Sequence, residues 1–228
     1  MKHSGRAIKA AFRLILIALI AVLVILAIGA VAVPKGSLSV AFFGLLPALW
    51  VIFALFTLYF FRDPDARVPA GANLVLAPGH GKVDAIGTAT ETAFMGGECQ
   101  RVSIFLSVFN VHIQNAPVSG KLAYFKYTTG KFLNALKAES AIYNENLLFG
   151  FEASEPRGQK VGVRLIAGVI ARRIVPFAQQ GDEVARGERI SLIQFGSRVD
   201  VYLPRNARIK VQLNDRVVGG ETVLAVLE

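Results

Sequence analysis

Two long apolar runs without a charged side chain, residues 14–33 and 38–61, constrain this chain more than any other feature. Backbone amides and carbonyls find no partner in hydrocarbon, so such runs cross a bilayer only as helices that bond internally. The first run has twenty residues, and a helix of that length covers about 30 Å, the thickness of the hydrocarbon layer. Pro34-Lys35-Gly36-Ser37 separates the runs as a helix-breaking polar turn. The pattern predicts a transmembrane hairpin, residues 14–33 and 38–61, with Pro47 as a kink site. Tyr59, Phe60 and Phe61 stand near its end, where aromatic anchors gather. Lys2, Arg6, Lys9 and Arg13 precede the first run, whereas the turn carries only Lys35. Because positive charge stays on the cytoplasmic side, residues 1–13 are read as a basic cytoplasmic N-terminus. Two crossings then return residues 62–228 to the same side. A cleaved signal peptide is the competing reading, since Ala30-Val31-Ala32 resembles a cleavage site. The length of the run and the second span weigh against it.

The net charge of +9 points to an anionic partner. Beside membrane segments that partner is anionic lipid rather than nucleic acid, for which no aromatic-and-basic pattern is found. One cysteine, Cys99, excludes an internal disulfide framework and fits a reducing compartment. It is read as a small buried thiol. His3, His80, His112 and Cys99 are too scattered to match a metal-ligand spacing, so no metal site is expected.

After Pro69 the pattern changes. Short runs rich in Val, Ile, Leu and Phe recur between Gly, Pro, Asn and Asp: residues 74–76, 82–86, 101–106, 121–125, 147–152, 161–166, 190–195, 199–203 and 209–213. This predicts a mainly β domain of antiparallel sheets. One short helix is expected around residues 131–139, where Leu133 and Leu136 share a face. Gly181-Asp182-Glu183-Val184 to Gly187-Glu188 echoes Asn214-Asp215-Arg216-Val217 to Gly220-Glu221, each a tight turn leading into a strand. Paired turns of this kind suit a barrel-sandwich-hybrid-like fold.

Chemistry-bearing residues concentrate in three stretches: Leu76-Ala77-Pro78-Gly79-His80-Gly81-Lys82-Val83, then Phe105 to His112 continuing to Pro117-Val118-Ser119-Gly120, then Phe195-Gly196-Ser197-Arg198. With Phe60-Phe61-Arg62-Asp63-Pro64, Tyr143-Asn144-Glu145-Asn146, Ile166-Ala167-Gly168, Arg172-Arg173-Ile174-Val175 and Gly181-Asp182, they occur in the order found in one family. The chain resembles the phosphatidylserine decarboxylase proenzymes of the short bacterial and archaeal type, from about residue 60 to residue 204.

The resemblance implies a self-cleaving catalytic domain, residues 62–228, cut between Gly196 and Ser197 into a β chain and an α chain. Ser197 would become a covalent pyruvoyl cofactor that forms a Schiff base with phosphatidylserine, releasing CO₂ and phosphatidylethanolamine. Gly196 is the cleavage site, and its missing Cβ allows close approach. His112 is the expected proton carrier and His80 the expected base for cleavage. Arg198 and Lys82 are the expected contacts to the lipid phosphate, with Lys121, Arg172 and Arg173 as further candidates. The implied location is the inner face of the cell membrane, and self-association into a homo-oligomer fits the family.

Two departures stand out. The family's Pro-Ala-Asp-Gly stretch has His80 where it has Asp, and Asn115 stands where short-type members carry Arg. Asn hydrogen-bonds but does not shuttle protons. Two other readings remain open at this level: a non-enzymatic membrane-tethered barrel-sandwich adaptor, and a decarboxylase homologue that stays unprocessed because of His80.

Overall fold

A computed structural model of the chain describes residues 2–32, 37–131, 143–168, 173–194 and 197–228. The helix expected around residues 131–139 and Gly196, the expected cleavage site, lie outside the described residues. The chain divides into two compact units, Gly5–Asp63 and Pro64–Glu228 together with Met1–Ser4.

The first unit holds two helices, α1 (Arg6–Ala32) and α2 (Ser37–Phe60), both long and apolar enough to cross a bilayer. α1 starts at Arg6, earlier than the apolar run, because Arg6, Lys9 and Arg13 are themselves good helix formers. The helices pack on one another. Trp50 Nε1 donates to the Ile15 carbonyl at 3.3 Å, and a side chain at Gly29 would strike the Phe43 ring. Inside α2, Thr57 Oγ1 donates back to the Phe53 carbonyl at 2.7 Å, so its hydroxyl is satisfied within the helix.

The second unit is built from β1 (Leu74–Leu76), β2 (Gly81–Glu91), β3 (Gly97–Leu106), β4 (Ile113–Asn115), β5 (Gly120–Thr128), β6 (Asn146–Ala153) and β7 (Lys160–Ala167). β8 (Arg173–Pro176), β9 (Glu183–Val184), β10 (Arg189–Gln194), β11 (Ser197–Leu203), β12 (Arg208–Ile209), β13 (Arg216–Val217) and β14 (Val223–Val226) complete it. They form an eight-stranded sheet in the order β13-β2-β3-β11-β7-β6-β5-β9 and two three-stranded sheets, β4-β10-β8 and β1-β14-β12. Every ladder between named strands is antiparallel. The core is buried between the sheets, with Val83, Ile104, Leu165, Val199, Val201 and Leu203 among its members. The 209–213 run contributes only the two-residue β12, while β4, β9, β13 and β14 are short strands that the apolar runs did not mark.

The paired turns belong to a larger internal repeat. Ala77-Pro78-Gly79-His80-Gly81-Lys82-Val83 is matched by Ala116-Pro117-Val118-Ser119-Gly120-Lys121-Leu122. Each copy binds one of the two echoing turns by the same hydrogen bonds. The Val83 amide donates to Asp215 O and the Leu122 amide to Asp182 O, both at 2.9 Å. Gly220 N donates to Ala77 O at 2.8 Å and Gly187 N to Ala116 O at 2.9 Å. The copies also bond each other reciprocally, Leu76 N to Pro117 O at 2.9 Å and Asn115 N to Pro78 O at 2.8 Å. Each turn is closed by its aspartate: Asp182 Oδ2 accepts from Gln179 N and Asp215 Oδ2 from Gln212 N, both at 2.8 Å. An approximate twofold therefore relates the His80 turn to the Ser119 turn.

Both chain segments that flank the helices are held by the second unit at one place. Lys2 Nζ lies 3.7 Å from Glu188, the His3 ring lies 5.7 Å from that of Phe177, and Asp65 bonds the buried Arg189 at 2.8 Å. Phe177 N in turn donates to Ile190 O. The Arg189 guanidinium beside Asp65 lowers that carboxyl below its usual range.

At Gly120, φ is +149° and a Cβ would strike the Glu152 carbonyl oxygen, whereas at Gly87 a Cβ meets nothing. Gly120→Ala is expected to destabilise the protein by about 2 kcal/mol or more, and Gly87→Ala to change it by under about 0.5 kcal/mol. Denaturant unfolding of the detergent-solubilised chain measures both.

Candidate active site

Ser197 opens β11, the strand flanked by β3 on one side and β7 on the other, facing Leu106 and Ala167. Side chains alternate along a strand. Ser197 therefore shares the core-facing side with Val199, Val201 and Leu203, while Arg198, Asp200 and Tyr202 point to the opposite face. The Ser197 hydroxyl is fully buried and has no hydrogen-bond partner among the described residues. Leaving such a group unbonded costs about 1–3 kcal/mol; the buried Ser103 hydroxyl on β3 is in the same state.

The topology explains how the residue is held. β10 and β11 follow one another in the chain but lie in different sheets, so residues 195–196 link one sheet to the other. On one side, β3 leads to β4 through residues 107–112. On the other, β7 leads to β8 through residues 168–172. Because β10 pairs with both β4 and β8 while β11 pairs with both β3 and β7, three such links run between the same two sheets, with 195–196 the middle one. Its described ends are fixed: Gln194 faces Arg173, and Ser197 faces Leu106 and Ala167.

His112 closes the 107–112 link and is buried. Its carbonyl accepts from Ile193 N at 3.0 Å and from Gln114 Nε2 at 2.8 Å, and Gln114 is itself held by Ser191 Oγ at 2.8 Å. Its Nδ1 lies 2.9 Å from the Asn110 carbonyl oxygen. A carbonyl only accepts, so Nδ1 carries the proton in the neutral ring and Nε2 is the basic nitrogen. Asn110 is positioned by accepting from both Ser107 N and Ser107 Oγ at 2.8 Å.

His80 lies in the turn before β2. With β2 and β11 flanking β3, this turn and Ser197 stand two strands apart, about 10 Å between backbones. The His80 ring and Asn115 converge beside Gly219: a Cβ there would lie 3.1 Å from His80 Cδ2 and 3.0 Å from Asn115 Oδ1. Asn115 Nδ2 donates to Gly187 O at 2.8 Å. Neither histidine is bonded to the Ser197 hydroxyl.

The two expected phosphate contacts separate. Lys82 is exposed and opposite Arg216 in the β2–β13 ladder. Arg198 is drawn into the protein: Nη1 lies 2.9 Å from Asp84 and Nε lies 3.2 Å from the buried Asp200. Sequence reading missed both partners, because the β2 bulge between Val83 and Ala85 breaks the register that would have predicted Asp84. Burial pushes the Asp84 carboxyl up, with Arg198 opposing and Asp200 adding to the rise. Burial also raises the Tyr202 hydroxyl to about 12. Cys99 is a buried thiol, as expected; burial raises it, and Sγ donates to the Ala89 carbonyl at 3.4 Å. On the far side of β7, Asn144 Nδ2 donates to the carbonyl of Ala167, the residue facing Ser197.

A model of the phosphatidylserine decarboxylase family matches residues 53–225. The phosphatidylserine decarboxylase proenzyme of Geobacter metallireducens is 38% identical over 227 residues, 100% of both chains. That of Geobacter sulfurreducens is 44% identical over 180 residues, 79% of this chain and 81% of the relative. That of Desulfotalea psychrophila is 41% identical over 180 residues, 79% of this chain and 83% of the relative.

Because the folded-state pKa of Asp84 is raised, the protonated carboxyl favours the fold, and that contribution fades as pH rises through the raised value. The stability of the chain relative to an Asp84→Asn variant should therefore be highest below about pH 4 and decline as pH rises. Unfolding midpoints across pH measure it.

Proposed function

The chain belongs to the phosphatidylserine decarboxylase family of enzymes, and we propose that it is a membrane-anchored, self-processed decarboxylase whose pyruvoyl group derives from Ser197. Its substrate is phosphatidylserine and its lipid product phosphatidylethanolamine. One observation carries the reading: a buried serine stands at the first residue of a strand paired on both sides, directly after residues 195–196.

The processing chemistry needs little beyond that. The Ser197 hydroxyl attacks the carbonyl carbon of residue 196, forming a C–O bond. As the C–N bond breaks, the proton passes to the nitrogen of residue 197. Removal of the residue 197 Cα proton then expels the carboxylate of residue 196, and hydrolysis of the remaining enamine nitrogen releases ammonia. Strand pairing at Ser197 resists movement of the nucleophile, which favours reaction over relaxation. The buried hydroxyl fits this role, and the keto-acyl group left there supplies the electron-withdrawing carbonyl that loss of CO₂ requires.

His112 is the proton carrier in this reading. The Asn110 carbonyl fixes its tautomer, leaving Nε2 as the basic nitrogen, and imidazole suits proton transfer near neutral pH. His80, beside Asn115, acts as the base for cleavage. The internal repeat supports a chemical role, because Ser119 holds the matching place in the other turn, so the turn itself does not demand histidine. With Arg198 engaged by Asp84 and Asp200, the headgroup phosphate falls to Lys82, and Arg198 instead orients the start of β11.

α1 and α2 are read as the anchor, in the cell membrane, with the catalytic unit on the cytoplasmic side. The basic residues before α1 support that side. The contacts of residues 2, 3 and 65 with Glu188, Phe177 and Arg189 agree with a two-span hairpin, whose two ends share one side of the bilayer whichever side that is.

Ser197→Ala should remain one chain on a denaturing gel and release no CO₂; CO₂ release by this variant contradicts the assignment. His112→Ala should still be cleaved but lose about 10²–10⁴-fold in decarboxylation rate. His80→Ala should slow cleavage itself, and His80→Asp should restore it, as followed by the appearance of the smaller fragment.

A further inference from the structure

The eight-stranded sheet has two unlike ends. At the end where β11 begins lie the start of β2, the end of β3, the end of β7, the start of β6 and the end of β5. Following the strand order, the exposed side chains met there are Arg216, Lys82, Phe109, Arg173, Tyr143 and Lys126. Phe109 is 64% exposed and Tyr143 is 55% exposed. Lys131 lies over the Tyr143 ring at 5.8 Å. None of the cations Lys82, Lys126, Lys131, Arg173 and Arg216 has a carboxylate within salt-bridge distance among the described residues. Of the acids nearby, Asp84 is bonded to Arg198, Glu145 to the Tyr127 hydroxyl, and the exposed Asp215 accepts from the Gln212 amide. Lys82 and Arg216 even face each other across a ladder, where like charges repel. At the opposite end no large apolar side chain is exposed among the described residues, Phe94 being buried. Two cations there are paired, Arg205 with Glu98 and Arg208 with Glu228, both at 3.1 Å, Lys160 donates to the Phe94 carbonyl, and the exposed Arg157 has no carboxylate within salt-bridge distance among the described residues.

We propose that the Ser197 end of the sheet, with Phe109 and Tyr143 between two groups of unpaired cations, docks on an anionic bilayer surface. At roughly 4.8 Å per strand the face spans about 30 Å, wide enough to meet many headgroups at once. Aromatic side chains settle at the headgroup level, and each cation held near an anionic surface strengthens attachment roughly fivefold. This deepens the reading above, on which its purpose rests: docking sets the crossing that carries Ser197 at the depth where a phospholipid headgroup is found. An acidic protein is the competing occupant, and the two separate by experiment.

The full-length chain, in a Cys99→Ala background, is reconstituted into vesicles of phosphatidylcholine alone or mixed with phosphatidylglycerol. An environment-sensitive dye is placed at Phe109→Cys, at Tyr143→Cys or, as the far-end control, at Arg205→Cys, and lipids spin-labelled at the headgroup serve as quencher. Quenching is expected at 109 and 143 but not at 205. It should rise with phosphatidylglycerol, fall at about 1 M salt, where the Debye length is about 3 Å, and fall with Lys126→Glu plus Arg173→Glu. Equal quenching at 109 and 205, or quenching indifferent to phosphatidylglycerol and salt, overturns the proposal. So does the absence of quenching in these protein-free lipid mixtures when an acidic protein is the true occupant. Because the readout needs no turnover, Ser197→Ala in the same background should quench alike, which separates failure of docking from failure of the proposed chemistry.

Discussion

Strand pairing around one two-residue link governs this molecule. β10 and β11 are neighbours in the chain yet central in two different sheets; Gln194 before the link pairs with β8, and Ser197 after it pairs with both β3 and β7. A hydroxyl attack on the preceding carbonyl asks for a backbone that does not relax away, and paired strands provide that more firmly than a surface loop. The same pairing sets the neighbours. The 107–112 link delivers His112, whose carbonyl accepts from Ile193 N on the strand that precedes residues 195–196.

The internal repeat explains the remainder of the frame. Two copies of an Ala-Pro-x-x-Gly-Lys segment each grip an aspartate-closed turn by matching hydrogen bonds. What differs between the copies is therefore informative without any relative in view. His80 and Asn115 meet at Gly219, where a Cβ would lie 3.0–3.1 Å from both side chains, whereas the mate of His80 is Ser119, whose hydroxyl accepts from Arg186 N at 2.9 Å. One half of the twofold serves as scaffold and the other carries the histidine.

Much of this was legible in the chain. The apolar runs announced the two helices because hydrocarbon permits little else, and the longer strands followed from their Val- and Ile-rich runs bounded by Gly and Asn. The short strands β4, β9 and β13 were not visible, since Ile113-Gln114-Asn115, Glu183-Val184 and Arg216-Val217 are too brief to show a period. The full repeat is faint in sequence because its two copies share only Ala-Pro and Gly-Lys around unlike central residues. Ser197 was found from its place beside Gly196. Its isolation from any hydrogen-bond partner depends on what packs across from it, which no local pattern carries. Arg198 illustrates the limit best. Next to Ser197 in sequence, it points to the other face of the sheet, where a bulge brings Asp84 against it.

The central claim is that the backbone breaks before Ser197, and the intact mass of the purified wild-type chain after full maturation tests it most directly. The account predicts two chains, residues 1–196 and residues 197–228, the second beginning with a carbonyl that hydrazine labels and lacking a free amino terminus. A single unlabelled chain of 228 residues contradicts it.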